Sequence, residues 1–231
     1  MNEELRGIPD RILVLATGAL AQANTHAAFM DPDREHWPQM SVLNAAHAGE
    51  LFLKAIIAAE HPLLIFKDLP ILDDKQTEEL NLQTLLARGR THDFEKLPQV
   101  LWATAGIRIP NVDCYERLRR ARNAIQHFCE PDESNLSGLS LEFIYSIIDP
   151  LIHKQFELHA IEFHEDYSVG YDHLVGTLLR REIRFSMPSD FHLEEIRIFE
   201  EISQAGEPYR AWLEAALAGI GKIGKEDLLR R

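Results

Sequence analysis

Between residues 114 and 128, apolar side chains recur at the spacing of an α-helix: Cys114, Leu118, Ala121, Ile125 and Phe128 fall on one stripe at about 100° per residue. Such a stripe must face a core, so the chain is constrained to bury this helix on one side. The opposite arc carries Arg119, Arg122, Asn123, Gln126 and His127. Arg122 and His127 stand near its two edges, roughly 140° apart at the same pitch, and Asn123 lies one turn before His127, placed to orient the imidazole. The run Glu116-Arg117-Leu118-Arg119-Arg120-Ala121-Arg122 is basic in a chain whose formal net charge is -13. A positive stripe built against that trend calls for an explanation.

Other stretches extend the helical pattern. Pro9 and the apolar set Ile12, Leu13, Leu15, Ala16, Ala19, Leu20 and Ala23 predict a helix from about residue 8 to 30, stopped by Asp31-Pro32-Asp33. Ser41 is a candidate cap for a second long helix ending at His61-Pro62, and two such helices in succession suggest an antiparallel pair. Lys67 to Lys75 reads as a loop, Glu78 to Ala87 as a short helix, and Pro98 to Ala105 as another. Ser140 reads as the start of a helix running to about His164 and bent at Asp149-Pro150. Tyr171 to Arg184 suits a helix ending in a second basic cluster, Arg180, Arg181 and Arg184. Residues 182–187 and 196–199 fit helix or strand, with helix preferred, and Pro208 to Leu217 makes a last amphipathic helix before a frayed tail. The expectation is an all-α bundle over residues 1–165 with a mainly helical extension over 166–231.

With 231 residues and 45% hydrophobic content the chain can build a real core. The start Met1-Asn2-Glu3-Glu4 is acidic where a signal peptide would be basic, and the most apolar run, Leu51 to Phe66, is broken by Lys54, Glu60, His61 and Pro62. Neither export nor a membrane span is expected. If one helix carries both Cys114 and Cys129, its rise sets them about 22 Å apart, beyond disulfide reach. The simple expectation is a reduced, cytoplasmic protein.

Arg122 followed at once by Asn123, four residues between Arg122 and His127, and Phe128 after the histidine resemble the signature helix of the HEPN superfamily (higher eukaryotes and prokaryotes nucleotide-binding). Arg120 also stands at a permitted spacing from His127, but only Arg122 is followed by an asparagine. His47 to Ala55 is similar to the second helix of many HEPN domains, where a polar side chain points toward the motif helix, which makes Glu50 and His47 candidates to back the site. Residues 90–97 also resemble the family's connection into a further helix. The resemblance covers about residues 1–165 and implies a HEPN-like helical bundle acting as a homodimer. Two Arg/His sets would then line one cleft and cut RNA without metal or cofactor, leaving a 2',3'-cyclic phosphate and a 5'-hydroxyl. It also implies a role in a toxin-antitoxin pair or in antiviral defence, with an antitoxin, often a small nucleotidyltransferase, as partner.

The residue types suit that chemistry. Histidine, with a reference pKa of about 6.5, exchanges protons near neutral pH. Arg122 stays charged and presents a planar fork to phosphate oxygens, a contact that strengthens as negative charge builds in the transition state. Asn123 positions rather than reacts, while Arg119 and Arg120 are candidates for flanking RNA phosphates. Two other readings stand beside this one. The first is a non-catalytic HEPN module serving dimerisation, ligand binding or regulation. The second is a metal-carrying bundle, since His47 and Glu50, His127 and Glu130, and His159 and Glu162 each place two ligand types on one helical face. Di-iron bundles use the reverse order, Glu-x-x-His, so no metal is expected.

Overall fold

The computed structural model describes residues 3–29, 33–69, 82–165, 170–193 and 205–222, and it is all-α apart from one small ribbon. Residues pack into two compact units, Met1–Ala16 with Gly49–Ile109, and Thr17–Ala48 with Pro110–Arg231. The two long helices, α1 (Ile8–Ala28) and α2 (Trp37–Glu60), each contribute to both units. The described residues beyond 166 share a unit with the motif helix.

In the first unit, the C-terminal part of α2 is apolar almost all round, with Phe52, Leu53, Ile56 and Ile57 buried. Lys54 interrupts that run, and at 8% exposure it is tolerated because its ammonium donates to Glu50 at 2.6 Å and to Thr91 at 3.0 Å. The mean hydropathy of α2 reaches 1.3 over its most apolar window, enough in length and composition to cross a bilayer; yet 67% of that window is buried inside the protein, as in a core helix. Beyond α2, β1 (Phe66–Asp68) pairs antiparallel with β2 (Arg90–Thr91), where a loop was expected from residue 67 onward. Gly89 is required at this ribbon: a Cβ there would stand 2.6 Å from the Leu85 carbonyl oxygen and from the Phe66 ring. The helices α3 (Leu82–Arg88) and α4 (Leu97–Ala105) follow; residues 70–81, including the expected start of α3, lie outside the described residues.

In the second unit, α5 (Val112–Gln126) begins where the Asn111 side chain accepts from the Cys114 N–H at 3.1 Å and buries Cys114, Tyr115, Leu118 and Ala121. The next helix starts four residues before the expected Ser140, because Asn135 caps it by accepting from the Gly138 N–H at 2.9 Å. It runs as α6 (Leu136–Phe143), a π-helical turn (Ile144–Ile148) and α7 (Asp149–Phe156). Pro150 has no N–H to return to the carbonyl four residues back, and the Asp149 N–H reaches instead to Ile144, so the expected irregularity at Asp149-Pro150 takes the form of a wide turn. The helix does not continue to His164. Glu157 adopts a left-handed φ of 57° and ends it.

Ser41 and Ser140, both read as helix starts, lie inside helices and are fully buried; their hydroxyls bond each other at 2.8 Å and bond Pro38 and Leu136 carbonyls in their own helices. Leu15, one of the apolar set that predicts α1, is 63% exposed. A buried polar cluster does the joining. Asn24 donates to the carbonyls of Ala160 and Phe163 and accepts from the Tyr145 hydroxyl. Asp149 accepts from the N–H groups of Ala160 and Ser186 and from the Ser186 hydroxyl. His164 is buried at 5% exposure. Finally, α8 (Asp172–Arg180) is followed by residues 183–188 without regular structure, against the preference for helix there, and α9 (Glu207–Gly219) packs Trp212 against Phe185. Residues 196–199 lie outside the described residues.

Candidate functional site

The basic run of α5 resolves into cations with different partners. Arg117 donates to Glu133 at 2.8 Å and Glu142 at 3.0 Å, tying α5 to α6 and to the loop before it. The bond to Glu133 leads in holding its guanidinium above its ordinary pKa, against the opposing effect of burial. Arg119 places Nε and Nη2 on the Glu116 carboxylate at 2.9 and 2.8 Å. These two charges are largely answered within the fold. Arg120 and Arg122 have no carboxylate within ion-pair distance among the described residues.

Those two cations do not converge. Two residues apart on a helix, they project about 160° from each other. Arg120 borders a shallow cavity of about 280 Å³ with Arg117, Glu130, Asp132 and Glu133, a surface that repels phosphate. Arg122 lies with Asn123, its Nη1 donating to the Asn123 amide oxygen at 3.2 Å. The amide therefore orients the guanidinium, where an Asn123–His127 pair was expected.

His127 is not on the helix. It caps α5 with φ -101° and ψ 16°, and Gln126 is the last helical residue. Phe128 follows with φ 57°, its N–H bonding the Ile125 carbonyl at 3.2 Å, while the Cys129 N–H bonds that of Ala124 at 2.8 Å. This pair of bonds closes a Schellman turn, whose left-handed position usually holds glycine. Phe128, expected in the apolar stripe, is consequently 102% exposed, and Cys129 also lies off the helix. The imidazole of His127 is exposed and hydrogen-bonds to none of the described residues. The end of α5 thus presents His127, Phe128 and Cys129 together to solvent, one turn beyond the Arg122–Asn123 pair.

Glu50 and His47 are the candidates to back the site. Glu50 is engaged by Lys54 in its own helix, and His47 is exposed. Among the described residues no three His, Cys, Asp or Glu side chains gather as a metal-binding group.

Sequence reasoning missed a second constellation. Ser186 Oγ donates to Asp149 at 2.7 Å and lies 3.0 Å from His159 Nδ1, while Asp149, at 2% exposure, takes three donors in all. With the serine in the middle and its proton committed to the carboxylate, this is a brace and not an activated nucleophile. Sequence offered no signal for it beyond the helix irregularity at Asp149-Pro150. The cluster Arg180, Arg181 and Arg184 also divides: Arg184 lies over the Trp212 ring at 5.8 Å, whereas Arg180 and Arg181 line a cavity of about 520 Å³ with Trp37. Compared with protein-family models, with curated proteins and with solved structures, the chain matches none.

Proposed function

We propose that the protein is a HEPN-type endoribonuclease whose chemistry is carried by Arg122 and His127. The observation behind this reading is the end of α5, where an arginine not answered by any described carboxylate and an exposed imidazole lie about one turn apart. In the proposed reaction the 2'-hydroxyl attacks the adjacent phosphate. One imidazole takes the hydroxyl proton, a second protonates the leaving 5'-oxygen, and Arg122 binds the phosphate oxygens as their charge grows. The products are a 2',3'-cyclic phosphate and a 5'-hydroxyl. One protomer offers a single histidine of the motif, so the proposed active form is a homodimer with two α5 ends facing one cleft. Asn123 holds the guanidinium in place. Arg119 and Arg120 are weaker candidates for RNA contact, one being paired with Glu116 and the other facing carboxylates. A cytoplasmic toxin-antitoxin or antiviral setting fits an enzyme of this kind, with an antitoxin or nucleotidyltransferase as its partner.

The test uses purified protein and end-labelled RNA in the presence of a chelator. His127→Ala and Arg122→Ala are each expected to slow cleavage on the order of 100-fold, by analogy with lost transition-state donors. Undiminished cleavage by both variants overturns the assignment. One observation favours a non-catalytic HEPN module instead: His127 lies past the last helical residue with no described side chain orienting it. Growth inhibition on expression, abolished by His127→Ala, distinguishes the enzyme from the module.

A further inference from the structure

The cavity of about 520 Å³ in the second unit is lined by residues that the nuclease reading does not use. Its aromatic wall is Trp37, half-buried at the start of α2, with the His26 ring 5.1 Å away and the Arg34 guanidinium 5.2 Å above the indole. Ala27 and Ala28 beside it are small, which keeps the space open. Among the described residues, Arg34, Arg180 and Arg181 line the cavity together with Glu35. Arg180 is steadied by its bond to Thr177 Oγ1 at 2.9 Å. Asn135 and Ser137 bring the N-terminal end of α6 to the same cavity, adding the partial positive charge of a helix start.

An indole beside clustered guanidinium groups suits a planar heteroaromatic carrying a phosphate. The volume falls within the range of small-ligand sites, roughly 300–1,000 Å³, and suits a single nucleotide rather than a long strand. We infer that this cavity binds a nucleoside monophosphate group, its base against Trp37 and its phosphate on Arg180 and Arg181. The group can arrive as a free mononucleotide or as the 5'-phosphorylated end of an RNA. The inference is independent of what His127 does.

Calorimetric titration of the full chain tests it with AMP, adenosine, inorganic phosphate and a short oligoadenylate with or without a 5'-phosphate. AMP is expected to bind at least tenfold more tightly than adenosine or phosphate alone. Arg181→Ala, at an exposed position, is expected to weaken AMP about tenfold or more and adenosine little. Trp37→Leu is expected to weaken both AMP and adenosine, and His127→Ala neither, which separates this site from the nuclease reading. Tighter binding of the 5'-phosphorylated oligomer than of AMP identifies an RNA end as the source, and the reverse a free nucleotide. No heat from AMP at millimolar concentration, equal affinity for phosphate and AMP, or an AMP affinity untouched by Arg181→Ala overturns the inference.

Discussion

Replacing Asp149 by asparagine changes one atom type and leaves the shape alone, which makes its cost calculable from the bonds on the carboxylate. Oδ1 accepts from the Ala160 N–H at 2.9 Å and the Ser186 hydroxyl at 2.7 Å; Oδ2 accepts from the Ser186 N–H at 2.6 Å. Every partner is a donor, so the new NH2 must face one of them. In the better orientation one buried backbone N–H loses its acceptor, at about 1–3 kcal/mol, and the surviving bonds go to a weaker, neutral acceptor. A total of about 2–4 kcal/mol follows, or roughly 5–15 °C in Tm at the 2–4 °C per kcal/mol typical of chains this long. Calorimetry measures the shift, and hydrogen exchange localises it, since the Ala160 and Ser186 amides should lose protection first. Burial pushes the Asp149 carboxyl up, opposed by the Ala160 and Ser186 bonds. A raised folded pKa means that the folded state holds the proton longer, so the stability from this group is full below about pH 3.9 and falls as pH rises through the folded value. The asparagine variant lacks that dependence, so its deficit should narrow as pH rises from 4 toward 7. A Tm within about 2 °C of the parent, with both amides still protected, refutes the reasoning.

Phe128→Gly removes a side chain that buries nothing and relieves a left-handed φ of 57°. A net gain of about 0.5–1 kcal/mol is expected by urea unfolding, because the steric relief exceeds glycine's extra freedom in the unfolded chain; a loss contradicts the turn assigned to the end of α5. Burial chiefly holds the His26 imidazole below its ordinary pKa, Glu165 opposing, and its Nδ1 accepts from the Asn44 amide at 3.2 Å, which requires the neutral ring. The folded state then binds fewer protons than the unfolded one, so this stability is present above about pH 6.5 and is lost as pH falls through the folded value. His26→Gln should flatten the fall in unfolding free energy between about pH 7 and 5, and an unchanged slope rules out that linkage.

Features that depend on neighbours in sequence were legible. The helical spacing of Cys114, Leu118 and Ala121 predicts a buried face, and that face is buried in α5. The start of α1, the span of α4 and the irregularity at Pro150 were likewise visible, each resting on local spacing or on proline's missing N–H. Phe128 was misread because its position continues the stripe, while the backbone turns left-handed one residue earlier than the pattern requires. Ser41 was misread because a serine before an apolar run looks like a cap; its hydroxyl answers Ser140, 99 residues away.

By itself the sequence determined the all-α class, the apolar face of α5 and the presence of a basic run in an acidic chain, because periodicity and charge are properties of the chain before it folds. Only the tertiary structure decided which of those charges remain available. Glu133, Glu142 and Glu116 answer Arg117 and Arg119, leaving Arg122 beside Asn123, and folding sets Trp37 and Arg34 into one cavity with Arg180 and Arg181. Charge compensation depends on distances of a few ångströms between distant segments, and no spacing along the chain encodes them.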